Sequence, residues 1–526
     1  MFVRRSSSRE VPGATVAVVS TAAPPPWAVH LPEGAAFDLP APGTLVGAWT
    51  ERLADDPDRP LLHAEGAWTT RGEFFERTSA VAGRLAAAGL VAGDRVLVSG
   101  PSSLDLAVAH VACLRLGLVV VPVNGSYTGG ELGHIVADCR PVAALVDHDG
   151  WADLLLGFDD DLIVATTAVD LPDGPTPLLD GSAPEDPAII GYTSGTTGAP
   201  KGAVLTQANL LAGAESVCLS WRWTDADRLL LCLPLFHMHG LGVGLHGTLL
   251  AGGSAVLQPG FAPDRVLDGI AEQGCSMFFG VPTMYHRLAD HDGVAELGRL
   301  RLCVAGSAPL PPVLHARLAN IGVSVLERYG MTETVMLVSN PYEGERRAGS
   351  VGFPLPGVDL CLDPSTSEIQ VRGPNVFSGY WERPDATAGA FVADGGGGAA
   401  WFRTGDLGSV DDDGYVTITG RAKELIITGG FNVSPGEVDE VLAAHPAVAE
   451  VAVAGVPSEE WGEEVVAFVV VLDGQTCLTV DDLREFARDR LASHKLPRRM
   501  VRIDALPRNS LGKVLRHELR EALRDD

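Results

Sequence analysis

Residues 192–202 read Tyr-Thr-Ser-Gly-Thr-Thr-Gly-Ala-Pro-Lys-Gly, directly after the apolar run from Pro187 to Gly191. Glycines, hydroxyl side chains and a lysine crowded together suit the binding of a nucleotide phosphate. Glycines let backbone N–H groups close around an anion, Ser and Thr add neutral donors, and Lys brings a compact mobile charge. The Walker pattern needs four residues between its first Gly and the Gly-Lys-Ser/Thr that closes it. Here Lys201 follows Gly198 by three residues and is itself followed by Gly202, so an ordinary kinase or GTPase loop is excluded. Taken alone, the same composition also suits a simple turn.

Four further motifs follow at long range: Leu326-Glu-Arg-Tyr-Gly-Met-Thr-Glu-Thr334, Trp401-Phe-Arg-Thr-Gly-Asp406, Gly420-Arg-Ala-Lys-Glu-Leu425 and Leu506-Pro-Arg-Asn-Ser-Leu-Gly-Lys513. With these, in this order, the sequence resembles the adenylate-forming superfamily of acyl- and aryl-CoA ligases, firefly luciferases and adenylation domains. The likeness runs from about Leu45 to the C-terminus.

The resemblance implies a reaction in two halves. A carboxylate attacks the α-phosphate of ATP and expels pyrophosphate, and a thiol then attacks the acyl-adenylate. Such chemistry rests on positioning and on cations placed where negative charge grows. On the matching positions, Thr193, Ser194, Thr196 and Thr197, with Gly195 and Gly198 between them, are expected to hold the β- and γ-phosphates, and Lys201 to add charge. Glu333, with Thr193, corresponds to the Mg²⁺ ligand, since a hard cation takes carboxylate and phosphate oxygens. Thr332 offers a hydroxyl to the α-phosphate. Tyr329, followed by Gly330 and Met331, presents an aromatic face to adenine. Gly306, Ser307 and Ala308 resemble a second adenine-contacting loop. Asp406 corresponds to the residue that accepts both ribose hydroxyls, and Arg421 reaches the ribose or phosphates; a surface salt bridge is the plainer role for either. Lys423 maps onto the family's interdomain hinge, and Lys513 onto the lysine that stabilises the pentavalent α-phosphate. His237, in Leu233-Pro-Leu-Phe-His-Met-His-Gly240, corresponds to the gate of the acyl pocket, whereas His239 carries no such assignment. Gly429 and Gly430 resemble the loop that lines the thiol passage, which favours CoA or a phosphopantetheinyl carrier protein as acceptor.

The segments Phe279–Tyr285, Val325–Thr334, Gly349–Gly352 and Ile427–Val433 resemble those of malonyl-CoA synthetases. Arg328 is the telling residue, because a dicarboxylate needs a fork for its distal carboxylate. The competing role is a local ion pair with Glu327 or Asp359. Malonyl-CoA synthetases tend to carry a second Arg where this chain has Leu249-Leu-Ala-Gly-Gly-Ser254, so malonate is held by one fork or His246 substitutes. The expected substrate is a short dicarboxylate such as malonate or methylmalonate. The alternatives are an aromatic, β-amino or medium-chain acid, loaded onto a carrier protein or a non-thiol nucleophile.

The elements that position these residues are also legible. Short β-branched runs alternate with helical patterns from Arg95 to Val146 and again from Pro187 to Leu326, which implies parallel sheets flanked by helices. Strand-like pieces dominate from Gly349 to Thr419. After Arg421 the order becomes helix (Pro435 to Ala443), strand (Ala449 to Gly455), strand (Glu464 to Leu472), helix (Val480 to Leu491) and strand (Met500 to Ile503). The expected fold is therefore α/β: a flexible leader over 1–40, an N-terminal adenylation domain over 41–420 with parallel sheets and a β-rich subdomain, and a small mobile α+β domain over 421–526.

Composition sets the outer bounds. A chain of 526 residues is too long for one compact core. Its net charge of −28 excludes nucleic acid and anionic membrane as partners, whose binding needs clustered Lys and Arg. Eight scattered cysteines argue for reduced buried thiols rather than zinc sites or disulfides. The most apolar window, Leu104 to Val123, contains Asp105, His110 and Arg115, which a bilayer-spanning helix rarely tolerates. A cytoplasmic enzyme, monomeric or homodimeric, is expected.

Overall fold

The computed structural model describes residues 25–32, 43–193, 200–394, 398–472, 478–509 and 512–523. Ser194, Gly195, Thr196, Thr197 and Gly198, together with most of the 1–40 leader, lie outside them. The chain divides into two compact units, one of residues 1–359 and 372–391, the other of residues 360–371 and 392–526.

The first unit is built on two large sheets. One has the strand order Gly379–Tyr380, Lys201–Thr206, Pro187–Thr193, Val119–Pro122, Arg95–Ser99, Ala143–Val146 and Ile163–Ala165. The neighbours from Pro187–Thr193 onward run parallel, and the helices Leu104–Arg115 and Gly129–Cys139 follow their strands where the alternation places them. One pairing departs from the parallel expectation. Pro187–Thr193 and Lys201–Thr206 are antiparallel, in register from Pro187 opposite Thr206 to Thr193 opposite Lys201. The link between them is too short for the crossover that a parallel pair needs. The strand that follows the phosphate-loop residues thus turns back along Pro187–Thr193.

The second sheet orders its central strands as Val325–Tyr329, Leu302–Ala305, Met277–Gly280, Arg228–Leu231 and Ser254–Leu257, all parallel. Helices Pro263–Gln273, Pro282–Ala289 and Pro312–Asn320 each open with a Pro whose fixed φ suits the first turn. Their apolar faces bury Val266, Ile270, Leu288 and Leu318 against Leu230, Phe278, Cys303 and Val325.

The second unit contains an antiparallel sheet in which Trp401–Val410 pairs with both Glu368–Arg372 and Val416–Arg421. It also contains an α+β layer. There the strands Val448–Ser458 and Gly462–Val471 form a long antiparallel pair, and Arg499–Arg502 joins parallel to the latter. Helices Pro435–Ala443 and Val480–Ala487 bury Val438, Leu442, Leu483 and Ala487 against this sheet. Among the described residues no helix is long and apolar enough to cross a membrane. Among the described residues no cysteine is in a disulfide, and burial pushes the thiols of Cys113, Cys139, Cys232, Cys275 and Cys303 up to about 12.

Candidate active site

In the first unit the hairpin base, the Tyr-Gly-Met-Thr-Glu turn and the strand Gly379–Tyr380 come together. Thr206 ends its strand as the N-cap of helix Gln207–Ser220: its hydroxyl accepts from Asn209 N, and Asn209 Oδ1 accepts from Thr206 N. The Asn209 amide in turn donates to the carbonyls of Pro374 and Val376 at 2.7 and 2.9 Å. Phe377 N donates to Glu333 O at 2.8 Å, and Asn375 Nδ2 to Thr334 O and Met336 O at 2.9 and 2.7 Å. The segment carrying Tyr380 is thereby tied to both neighbours, and the Tyr380 hydroxyl donates to Glu333 Oε1 at 3.1 Å. Lys201 Nζ lies 5.3 Å from the centre of the Tyr380 ring, a cation–π approach. Burial and the Glu333 carboxylate both raise the Tyr380 phenol, so it remains a donor.

Gly191 and Thr332 meet closely: a Cβ at Gly191 would lie 2.4 Å from Thr332 Cγ2. Val335 adopts φ 59°, a strained conformation for a β-branched residue. It is held by two side-chain-free surfaces, since a Cβ at Gly213 or Gly242 would stand 3.3 or 3.2 Å from it. This packing fixes the turn from Gly330 to Val335 that presents Thr332 and Glu333. Glu333 is buried and offers a hard carboxylate, and Thr193 a hydroxyl, a donor set that fits a Mg²⁺ ion arriving with phosphate oxygens. The metal-type cluster found among the described residues is instead the exposed Asp159–Asp161 turn, to which no site residue belongs.

Arg328 stands on the strand Val325–Tyr329 next to Tyr329. Neither of its expected local partners holds it. Glu327 accepts from Gly349 N at 3.0 Å and Leu310 N at 3.2 Å, and Asp359 pairs with Arg372 at 2.8 Å. Arg328 is 6% exposed, and its Nε and Nη2 are buried without a hydrogen-bond partner. Burial pulls the guanidinium down to about 9. Its plane covers Gly306, where a Cβ would be 2.4 Å from Arg328 Cζ. The adjacent Ser307 has φ 71° and a buried hydroxyl with no partner.

Two histidines share this neighbourhood. Burial and then the Arg328 charge lower His237 to about 4, and the same two causes lower His239 well below its ordinary value. His237 Nδ1 accepts from His239 N at 3.2 Å, which leaves its proton on Nε2. His246 is not the substitute fork. It bonds His110 through Nε2 at 2.9 Å, stacks with it, and meets Trp49 edge-on at 5.0 Å.

In the second unit Asp406 is buried and lies directly across the ladder from Arg421, with Oδ1 3.0 Å from Arg421 Nε. Lys513 is depressed to about 8, by burial first and then by Arg421, while Glu424 and Asp406 oppose the shift. Lys423 lies in the short turn Ala422–Glu424. Gly429 and Gly430, with φ 56° and 82°, form the two-residue turn between Ile426–Thr428 and Phe431–Val433, a conformation that selects glycine.

Residues 49–381 match the AMP-binding enzyme family, and residues 437–513 match the AMP-binding enzyme C-terminal domain. The chain belongs to this adenylate-forming family. Among relatives of this AMP-binding enzyme, the feruloyl-CoA synthase of Amycolatopsis sp is 36% identical over 90% of this chain and 98% of its own. The sulfoacetate–CoA ligase of Cupriavidus necator is 38% identical over 90% and 97%. The crystal structure of ATP-bound MatB from Rhodopseudomonas palustris is 38% identical, covers 91% of this chain and 99% of its own, and superposes with a TM-score of 0.85. Sequence reasoning had missed Tyr380 and left His239 unassigned. No motif marks the tyrosine, and only the fold shows that the second histidine shares the neighbourhood of Arg328.

Proposed function

We propose that this enzyme joins a short carboxylic acid bearing a distal anionic group to CoA, with ATP cleaved to AMP and pyrophosphate. The observation that carries the acid class is Arg328: a buried guanidinium with no acid partner among the described residues is costly to the free protein and is neutralised when the ligand supplies the anion. The sulfoacetate ligase among the relatives, whose named acid has a distal sulfonate, supports the same reading.

In this reading Lys201 and the Ser and Thr hydroxyls of residues 193–197 hold the β- and γ-phosphates, and Glu333 with Thr193 would hold Mg²⁺, which would screen phosphate charge. The acid's free carboxylate attacks the α-phosphorus, the bond to pyrophosphate breaks, and Lys513 offsets the charge that accumulates there. The thiol of CoA then attacks the acyl carbonyl, its proton passing to solvent, and AMP leaves. Neutral His237, with Nδ1 fixed by the backbone, orders the wall of the acyl pocket and brings no competing charge. Buried thiols accord with a reducing cytoplasm.

The test is thioester formation with CoA across malonate, methylmalonate, succinate, sulfoacetate, acetate and ferulate, with pyrophosphate release followed in parallel. Preference for the acids with a distal anion supports the proposal. Preference for ferulate, the acid class of the feruloyl-CoA synthase relative, overturns the acid class. Pyrophosphate without CoA thioester redirects the second half-reaction to a carrier protein or a non-thiol nucleophile.

A further inference from the structure

Helix Gly129–Cys139 contacts the chain one residue before Thr193 and one residue before Lys201. The Tyr192 hydroxyl donates to Asp138 Oδ2 at 2.7 Å, and His134 Nε2 donates to the Pro200 carbonyl at 2.9 Å. His134 and Asp138 stand one turn apart on the helix, so a single face makes both contacts. The helix is a firm support. A capping box between Thr128 and Glu131 closes its first turn, and Leu132, Ile135 and Cys139 are buried in a core against which Tyr192 and Trp381 also pack. The other oxygen of Asp138, Oδ1, accepts from Arg383 at 2.6 Å, and Arg140, the C-cap, pairs with Glu382. Trp381 N donates to Gly202 O at 2.8 Å. The segment held in this way is the one that carries Tyr380, whose hydroxyl meets Glu333 and whose ring meets Lys201.

We propose that His134 and Asp138 are positioning residues for the ATP phosphates: from one face of helix Gly129–Cys139 they fix where Thr193 and Lys201 stand relative to Glu333. The inference rests on the placing of the β- and γ-phosphates in the proposed function. Thr193 opposite Lys201 is the last pair of its ladder among the described residues, so side chains hold the geometry that backbone pairing no longer supplies. The Asp138 side chain is 9% exposed and takes one donor on each oxygen, the stronger kind of hydrogen bond. Burial first, then Cys139 and Asp138, raises the Tyr192 phenol, which therefore stays a donor. A shift of about 1 Å in a group that positions substrate costs on the order of 100-fold in rate. The attack of the thiol on the acyl-adenylate involves no β- or γ-phosphate, so this bracing serves the first half-reaction alone.

The experiment compares the full chain with its Tyr192→Phe, Asp138→Ala and His134→Ala variants. Equilibrium dialysis gives the affinities for ATP and for AMP, and pyrophosphate release and thioester formation from supplied acyl-adenylate are followed with the acid that the thioester panel selects. Each variant weakens ATP binding and slows pyrophosphate release by roughly 10- to 100-fold. AMP affinity and thioester formation from acyl-adenylate stay within about twofold of wild type, since neither involves the β- and γ-phosphates. Asp138→Asn, which can accept from Arg383 and donate to the Tyr192 oxygen, and His134→Gln, which keeps an N–H donor, recover most of the loss. Tyr192→Phe removes one oxygen and keeps the packed ring, so it carries the comparison should an Ala variant not fold. Equal losses for ATP and AMP, or in the two half-reactions, overturn the proposal, as does a Tyr192→Phe protein that binds ATP like the wild type. Lys201→Ala separates the two levels of the argument. If it weakens ATP binding where the helix variants do not, the brace alone fails; if it leaves ATP binding unchanged, the placing of the phosphates fails and the brace with it.

Discussion

Replacing Arg328 by Met separates a ligand-binding guanidinium from a structural one, because the two roles predict opposite changes in stability. Met is unbranched and adaptable, so it fills much of the space that the aliphatic stem occupies. In the free protein the guanidinium is pulled from 12.5 to about 9 by burial. At about 1.4 kcal/mol for each tenfold change in protonation, that corresponds to an upper figure of about 5 kcal/mol of unfavourable burial. Relief of part of it makes Arg328→Met more stable than wild type by roughly 1–4 kcal/mol, the range seen when buried charges give way to apolar side chains. The same change removes a charge-assisted fork from the bound acid, worth about 3–5 kcal/mol, so kcat/KM for malonate or sulfoacetate falls roughly 150- to 5,000-fold. Acetate, which has no distal anion, keeps its kcat/KM. Thermal unfolding without ligand and kinetics on the paired acids read the two effects. Arg301 is the internal contrast: its guanidinium grips Asp227 through contacts of 2.6 and 2.7 Å, and Arg301→Met strands a buried acid, so that variant unfolds earlier. An Arg328→Met protein less stable than wild type, or one that loses acetate and malonate equally, refutes the assignment.

Other predictions follow from the charge states of buried groups. Lys513→Ala depresses pyrophosphate release far more than thioester formation from supplied acyl-adenylate. In the wild type the ammonium is lost as pH rises through about 8, so the first half-reaction declines above that pH while the second does not; parallel declines contradict the division of labour. His30 and His237 are held near 4 and His110 near 3. The unfolded chain therefore binds more protons than the folded one below about 6.5, and stability falls as pH drops from there, by up to about 1.4 kcal/mol per pH unit for each such imidazole. Denaturant midpoints at pH 7.5 and 5 test this, and an unchanged midpoint contradicts it. Gly306→Ala pushes a methyl into the Arg328 fork and raises KM for malonate at least tenfold, since losing one buried charged hydrogen bond costs about 1.5 kcal/mol or more; a KM within twofold of wild type shows that the fork can move aside.

Much of the fold was legible because the local signals agreed with each other. The β-branched run Arg95–Ser99 is a strand over those same residues, and Pro435–Ala443 is a helix with Pro at its first turn. The pair Gly429–Gly430, expected in a loop, forms a two-residue turn with positive φ. What escaped is long-range. Tyr380 meets Glu333 across 47 positions of sequence, and Asn209 holds Pro374 and Val376 across 165 and 167; no periodicity encodes such pairings. The antiparallel turn-back at the phosphate loop was hidden by the alternation around it, which reads the same for either strand direction. Arg328 was legible as a residue of interest, but its lack of an acid partner among the described residues emerged only once Glu327 and Asp359 were seen to be engaged elsewhere.

The close meeting of Gly191 and Thr332 has an evolutionary consequence. A methyl at 191 would land 2.4 Å from Thr332 Cγ2, so the two side chains cannot both keep their present places. Drift at 191 is therefore open only to a lineage that has first shortened residue 332, and 332 supplies the hydroxyl expected at the α-phosphate. The two positions, 141 apart in sequence, form a ratchet: each forbids change in the other, so a glycine outside the recognised loop inherits the constraint of the chemistry.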